Sequence, residues 1–307
     1  MAKDIVVEIR NLTKRIGNKT IVDNLSFDIP KGEVFGLLGP NGAGKTTTIR
    51  MMVGLMSITS GDVFIDGLNI RSDFREAMKR IGCIVETPEM YKFLTGYQNL
   101  LHFARMSSDI SRERINEVVE LVGLKKRIND KVKTYSLGMR QRLGLAKALL
   151  HKPSVLILDE PTNGLDPAGI RELRDHLRKL ANQEGLTVIV SSHLLSEMEL
   201  MCDRVAVLQH GRLISVKRVH DMVSGTNEQI TVFDVNQLDH AEKVISATVN
   251  RPAETTNHGL AVRVTREETS QVVEALVAAG IKVYWVNVRT KTLEESFLEL
   301  TGDSDLV

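Results

Sequence analysis

The chain has 307 residues, enough for about two domains of roughly 150 residues each. Its 40 Lys and Arg against 39 Asp and Glu leave a formal charge of +1, which excludes a protein that coats nucleic acid through charge alone. An apolar fraction of 42% beside 26% charged residues excludes disorder, collagen and coiled coil, and predicts a globular protein.

Cys83 and Cys202 are too few for a disulfide framework or a four-ligand zinc site. Each lies in an apolar run, which predicts buried thiols and a reducing compartment. Asp4 precedes any apolar segment of the kind a signal peptide needs, and no run of about 18 apolar residues exists to span a membrane.

In chain order, short β-branched runs predict strands at Ile5–Ile9, Val34–Leu38, Asp62–Ile65, Ile81–Val85, Val155–Leu158, Thr187–Val190 and Val205–Leu208. Those beginning at Val34, Ile81, Val155 and Thr187 are apolar almost throughout, as strands covered on both faces of a parallel sheet are. Between them, Thr48–Met52 reads as a helix. Thr95 and Gln98 form a capping-box pattern ahead of Leu100, Leu101 and Ala104. Asp166 reads as an N-cap with Pro167 at the first helical position. Ile170, Leu173, Leu177 and Leu180 then line one helical face, which Gly185 terminates. This alternation predicts an α/β fold. A polar cluster at Ser224–Asn227 breaks it. Beyond lie expected strands near Gln229–Asp234, Leu260–Val264 and Lys282–Val288, helices near 238–247 and 267–279, and a closing helix at Thr292–Leu300. The predicted organisation is a first domain over 1–224 and a small α+β domain, of ferredoxin-like character, over 228–307.

Gly39-Pro40-Asn41-Gly42-Ala43-Gly44-Lys45-Thr46-Thr47 is G-x-x-x-x-G-K-T between a strand and a helix. Glycines let backbone N–H groups converge on an anion at a helix N-terminus. Lys45 is placed to neutralise β- and γ-phosphates, and Thr46 to give a hydroxyl oxygen to Mg²⁺. Val155-Leu-Ile-Leu ends in Asp159-Glu160, so two acids stand where α/β sheets bind ligands. Asp159 is expected to hold Mg²⁺ and Glu160 to polarise an attacking water. The expected activity is binding and hydrolysis of a nucleoside triphosphate.

Tyr135-Ser136-Leu137-Gly138-Met139-Arg140-Gln141-Arg142 resembles the signature loop of ABC-type ATPases. Asn163-Gly164-Leu165-Asp166 resembles that family's D-loop and Ser191-Ser192-His193 its switch-histidine segment. The resemblance, in order and spacing over residues 5–215, implies a P-loop NTPase of ABC type with an inserted helical signature region. It implies that two such chains, most simply a homodimer, bury ATP between one P-loop and the other's signature loop. Ser136 and Gly138 then meet the γ-phosphate in trans, His193 meets it in cis, and Asp166 belongs to the nucleotide-binding set. It also implies a separate membrane permease gripping the region Glu86–Met106, and a peripheral position on the cytoplasmic face.

Three positions depart from the family pattern. Glu86 stands where most members have Gln, so a carboxylate replaces an amide beside Mg²⁺ and the reacting water. Ile16 stands where an adenine-stacking aromatic is usual. The signature reads Ser-Leu-Gly-Met, keeping Ser136 and Gly138. Glu86 with Pro88, Tyr91 and Leu94–Leu100, together with the closing helix, resembles the branch that exports bacitracin-type and lantibiotic peptides. Export of another drug or lipid shares much of this pattern. A soluble ABC ATPase of translation or repair fits less well, because Lys125–Arg127 is the longest basic run and no nucleic-acid stripe exists.

Overall fold

The computed structural model describes residues 4–86, 88–106, 110–223, 229–256, 259–289 and 292–301. The expected turn cluster at Ser224–Asn227 lies outside the described residues, as does Thr87. By Cα packing the chain divides into two compact units, Met1–Val219 with Leu300–Val307, and His220–Glu299.

The first unit opens with β1 (Ile5–Ile16), β2 (Lys19–Pro30), β3 (Val34–Leu38), α1 (Lys45–Met52), β4 (Ser60–Ile65), β5 (Leu68–Asn69), α2 (Phe74–Met78) and β6 (Ile81–Ile84). A helical stretch follows, α3 (Gly96–Ala104), α4 (Arg112–Leu121) and α5 (Leu137–Leu149). It continues with β7 (Val155–Asp159), α6 (Pro167–Glu184), β8 (Thr187–Ser192), α7 (Leu195–Met201), β9 (Arg204–Gln209) and β10 (Arg212–Arg218).

Two sheets result. The antiparallel one runs β2-β1-β4-β5, and the larger one β10-β9-β3-β8-β7-β6, parallel except for β10. Every residue of β3, β7 and β8 is buried, as their unbroken apolar runs predict for strands covered on both faces. Ile9, Leu12 and Leu25 of the antiparallel sheet join Leu37, Ile49, Met51 and Ile189 in one core. Phe27 stacks on Phe35 with ring centroids 5.8 Å apart. The register sets Leu38 beside Ser192 and Ser191 beside Asp159. The carboxyl ends of β3, β7 and β8 therefore share one edge of the sheet.

The predicted helix punctuation is present. Thr95 and Gln98 complete a reciprocal capping box on α3. Asp166 accepts from the Gly169 N–H with Pro167 at the first position of α6, and Gly185 ends that helix in the left-handed region. Two expectations need correction, and two strands are added. α1 begins at Lys45 rather than Thr48, because the second half of the glycine-rich loop already has helical geometry. Cys83 is exposed and only Cys202 is buried, since β6 is an outer strand whose apolar sequence reads like that of the covered strands. β2 and β10 carry no predicted strand: β2 mixes exposed and buried positions and β10 has only exposed and half-buried ones, which breaks up any apolar run.

The second unit follows α8 (Val219–Val223) with β11 (Gln229–Val235), α9 (Leu238–Val249), β12 (Glu254–Thr256), β13 (Gly259–Val264), α10 (Arg266–Ala278), β14 (Val283–Arg289) and α11 (Leu293–Thr301). Its antiparallel sheet runs β12-β13-β11-β14, the ferredoxin-like arrangement of interleaved β-α-β units. Ile245 of α9 and Leu276 of α10 pack on Phe233, Leu260 and Val262. β12 is fully exposed and polar, so it carries no apolar signal that sequence reading could detect.

Candidate functional site

The loop after β3 is shaped by its glycines at two points. Gly39 has φ 158° and a Cβ there would meet the Leu208 carbonyl oxygen at 2.2 Å. Gly44 has φ 101°, in the left-handed region, and precedes α1 with no side-chain cap on the helix. The first N–H groups of α1 are thus left for an outside acceptor, and at a helix N-terminus an anion is the favoured one.

Lys45 is buried. Its Nζ donates to the Gly39 and Pro40 carbonyls at 2.7 and 3.3 Å and lies 3.9 Å from Glu160 Oε1. Burial pushes the Lys45 ammonium below the usual lysine range, opposed by the charges of Glu160 and Asp159. A cation held in this way gains from any anion entering the loop.

Asp159, also buried, accepts from Ser191 Oγ at 2.6 Å and from Thr46 Oγ1 at 3.2 Å. Ser191 in turn accepts from the Glu160 N–H at 2.9 Å. Glu160 has φ 49°, and its Oε2 accepts from His193 Nδ1 at 2.9 Å. An open cleft of about 430 Å³ results, lined by Ile21, residues 41–47, Glu160, Asn163 and His193. The structure thus brings together Asn41–Thr47, Glu160 and His193, with Asp159 beneath Thr46. Gly39 and Pro40 hold Lys45 from behind.

Other predicted residues stand apart from this cleft. Glu86, with φ 65°, directs its exposed carboxylate to Arg50 of α1. Ile16 is exposed and does not line this cleft, whose lining includes Ile21. Ser136 caps α5 by accepting from the Met139 N–H at 3.2 Å, as Asp166 caps α6 at 2.8 Å. The signature and D-loop segments are neighbours on one surface: a Cβ on Gly164 would lie 3.0 Å from Leu137, and one on Gly138 3.9 Å from Leu165. Asn163 and Ile21 were missed as cleft residues, because neither carries charge and each is placed only by the fold.

The residues fit a triphosphate: an uncapped helix start, a buried ammonium and a hydroxyl beside a buried carboxylate converge on one space. Among the described residues no group of three acids, histidines or cysteines could hold a metal by itself. That suits a cation such as Mg²⁺, which is usually bound through one or two protein oxygens plus phosphate and water.

A second feature lies after β6. Tyr91 and Phe93 are exposed, with ring centroids 5.9 Å apart, and Tyr91 also meets His102 edge-on at 5.1 Å. Lys147 Nζ sits 4.1 Å from the Phe103 ring centroid. Buried Asn99 anchors this patch by accepting from the Tyr91 N–H at 2.8 Å and donating to its carbonyl at 3.1 Å.

An ABC transporter family model matches residues 22–163. The "Uncharacterized ABC transporter ATP-binding protein YhcH" of Bacillus subtilis (strain 168) is 58% identical over 97% of each chain. The chain belongs to the ABC transporter ATP-binding proteins. The bacitracin transport ATP-binding protein BcrA of Enterococcus faecalis is 37% identical over 98% of each chain. A dimeric post-hydrolysis state of the ATP-binding cassette MJ0796 bound to ADP and Pi is 27% identical, with TM-score 0.61, and covers 69% of this chain and 98% of that one. As an ABC ATP-binding subunit the chain is an ATPase of a kind that dimerises and works with separate permease components. Among the described residues no helix is long and apolar enough to cross a membrane.

Proposed function

We propose that the chain is the motor of a bacterial exporter of peptide antibiotics of the bacitracin and lantibiotic type, with residues 1–224 as the ATPase domain and 228–307 as an accessory domain. The observation that carries the catalytic part is the convergence of Lys45, Glu160 and His193 on the cleft of the phosphate loop. The BcrA relative supports the cargo class.

In this reading the N–H groups of the loop and the Lys45 ammonium bind the β- and γ-phosphates. Thr46 and Asp159 are the residues that would hold Mg²⁺, which supplies neutralisation of charge on the phosphate oxygens. Glu160 accepts a proton from the attacking water, and His193 orients its carboxylate while contacting the γ-phosphate. Ser136 and Gly138, at the start of α5, meet the same phosphate from a second copy of the chain, with Asp166 beside that junction. Their place on a surface apart from their own chain's cleft supports this. Ile16 offers an apolar contact to the base, and Glu86 contributes to metal and water once released from Arg50.

The aromatic patch Tyr91–Phe103 is the docking face for a permease, which puts the chain at the cytoplasmic face of the membrane. Glu160→Gln, purified from its native membranes with ATP, should bring a multi-span membrane protein with it, and cells carrying that variant should lose resistance to the peptide while binding ATP normally. Recovery of soluble chains alone, or resistance that survives the substitution, overturns the reading.

A further inference from the structure

The second unit's sheet treats its two edges in opposite ways. β12 is three residues long and polar throughout, the usual manner of blunting an edge. β14 is seven residues long, and among the described residues it pairs only with β11. Val283-Tyr-Trp-Val-Asn-Val288 contains no Lys, Asp, Glu or Pro, the residues that normally guard an open edge. Its side chains favour strands, and Tyr284, Trp285, Val286 and Val288 are 62%, 39%, 38% and 41% exposed.

Register shows that the core face of this edge is apolar and that the other face carries Trp285 beside Asn287 and Arg289. Val286 and Val288 stand opposite buried Phe233 and Thr231 on the core face, while Trp285 stands opposite Asp234 on the other. Tyr284 sits at the irregularity between Trp285 and Val283. Unpaired backbone donors and acceptors on a strand rich in Val and aromatic side chains are best satisfied by another strand.

We propose that β14 pairs antiparallel with β14 of a second copy, joining the two C-terminal sheets across a twofold axis. An axis at Val286 sets Tyr284 opposite Val288 and Trp285 opposite Asn287, with no like charges facing. The two Arg289 side chains stand at opposite ends, roughly 20 Å apart at about 3.4 Å per residue, and each guanidinium already binds Glu295 at 2.5 Å. A single strand buries far less than the ~800 Å² per partner of a stable free complex. A partner already tethered is therefore favoured over a freely diffusing one, and a paired motor supplies that copy at an effective concentration on the order of millimolar. The inference rests in this respect on the proposed motor dimer.

The test uses the full chain with Cys83→Ser and Glu160→Gln, leaving only buried Cys202. Val286→Cys is then oxidised with and without ATP, and the ATP-dependent dimer is measured by light scattering in the same samples. Directly opposed Cβ atoms lie about 4.5–5.5 Å apart, close to disulfide reach. A covalent dimer should form roughly tenfold faster than with Glu254→Cys on the other edge, as local concentration dictates. Asn287→Cys mixed with Trp285→Cys reads the same pairing on the face away from the core if Val286→Cys folds poorly. A motor dimer with no β14 cross-link at any of these positions overturns the strand pairing and leaves the motor reading standing. A β14 cross-link without an ATP-dependent dimer supports the pairing and removes the motor reading. Capture of a different protein by these cysteines overturns the choice of a second copy.

Discussion

Glu160 occupies a left-handed backbone conformation at the end of β7, a strain that costs on the order of 1–3 kcal/mol for a residue with a Cβ. Its N–H to Ser191 and its carboxylate to His193 hold it there. Substituting Glu160→Gln keeps the shape and removes the proton acceptor. Hydrolysis should fall roughly 10²–10⁴-fold while ATP binding persists, seen as a stable ATP-bound dimer by light scattering. Lys45 supplies a pH prediction. Its ammonium is depressed below the ordinary lysine value by burial, and phosphate binding restores it. Calorimetry in buffers of different ionisation heat should record proton uptake on ATP binding in the pH window between the depressed and restored values, and none below the depressed value, where Lys45 is charged in both states. Glu86 and Arg50 form a surface pair, worth at most ~1 kcal/mol. Glu86→Gln should leave thermal stability almost unchanged, so an altered ratio of transport to ATP hydrolysed would report its role at the site.

At the scale of elements, α5 joins a structural cap to a proposed ligand contact. Ser136 caps the helix through the Met139 N–H, and loss of such a cap costs about 1 kcal/mol. Ser136→Ala should therefore lower both stability and ATP-dependent dimerisation. Ser136→Asp separates the two effects. Aspartate caps as well as serine but places a negative charge where the γ-phosphate of a second copy's ATP is proposed to sit. Stability should hold in a melting experiment while the dimer is lost. If Ser136→Asp dimerises normally with ATP, the signature loop does not meet phosphate in trans. The capping box of α10, at Thr265 and Glu268, is assigned no ligand contact and serves as a control.

For the whole molecule, the aromatic patch is proposed to link the ATPase unit to transport. Phe93 is 69% exposed and Met106 75%, and neither adds to the core of its unit. Phe93→Glu with Met106→Glu should leave ATP binding intact and reduce transport at least tenfold, because charges placed in an apolar docking face must be desolvated there. Transport that survives both changes places the docking face elsewhere.

Sequence alone determined the chemistry that local spacing carries. The glycine-rich loop with Lys45 and Thr46, the acids ending β7, the caps at Thr95 and Asp166 and the β-α-β-α-β order of the second unit, without β12, all depend on residues close in the chain, where backbone geometry and hydrogen bonds are local. The tertiary structure decided what depends on neighbours distant in sequence. It bound Ser191 to Asp159 and His193 to Glu160, turned Glu86 toward Arg50, brought Ile21 and Asn163 into the cleft, and left Ile16 outside it. It exposed Cys83, although the run around it matches covered strands, because strand order and not hydropathy determines which strand is outermost. The same cause gives β14 its open edge: apolar sequence predicts burial, and only the fold shows which side of a strand still lacks a neighbour.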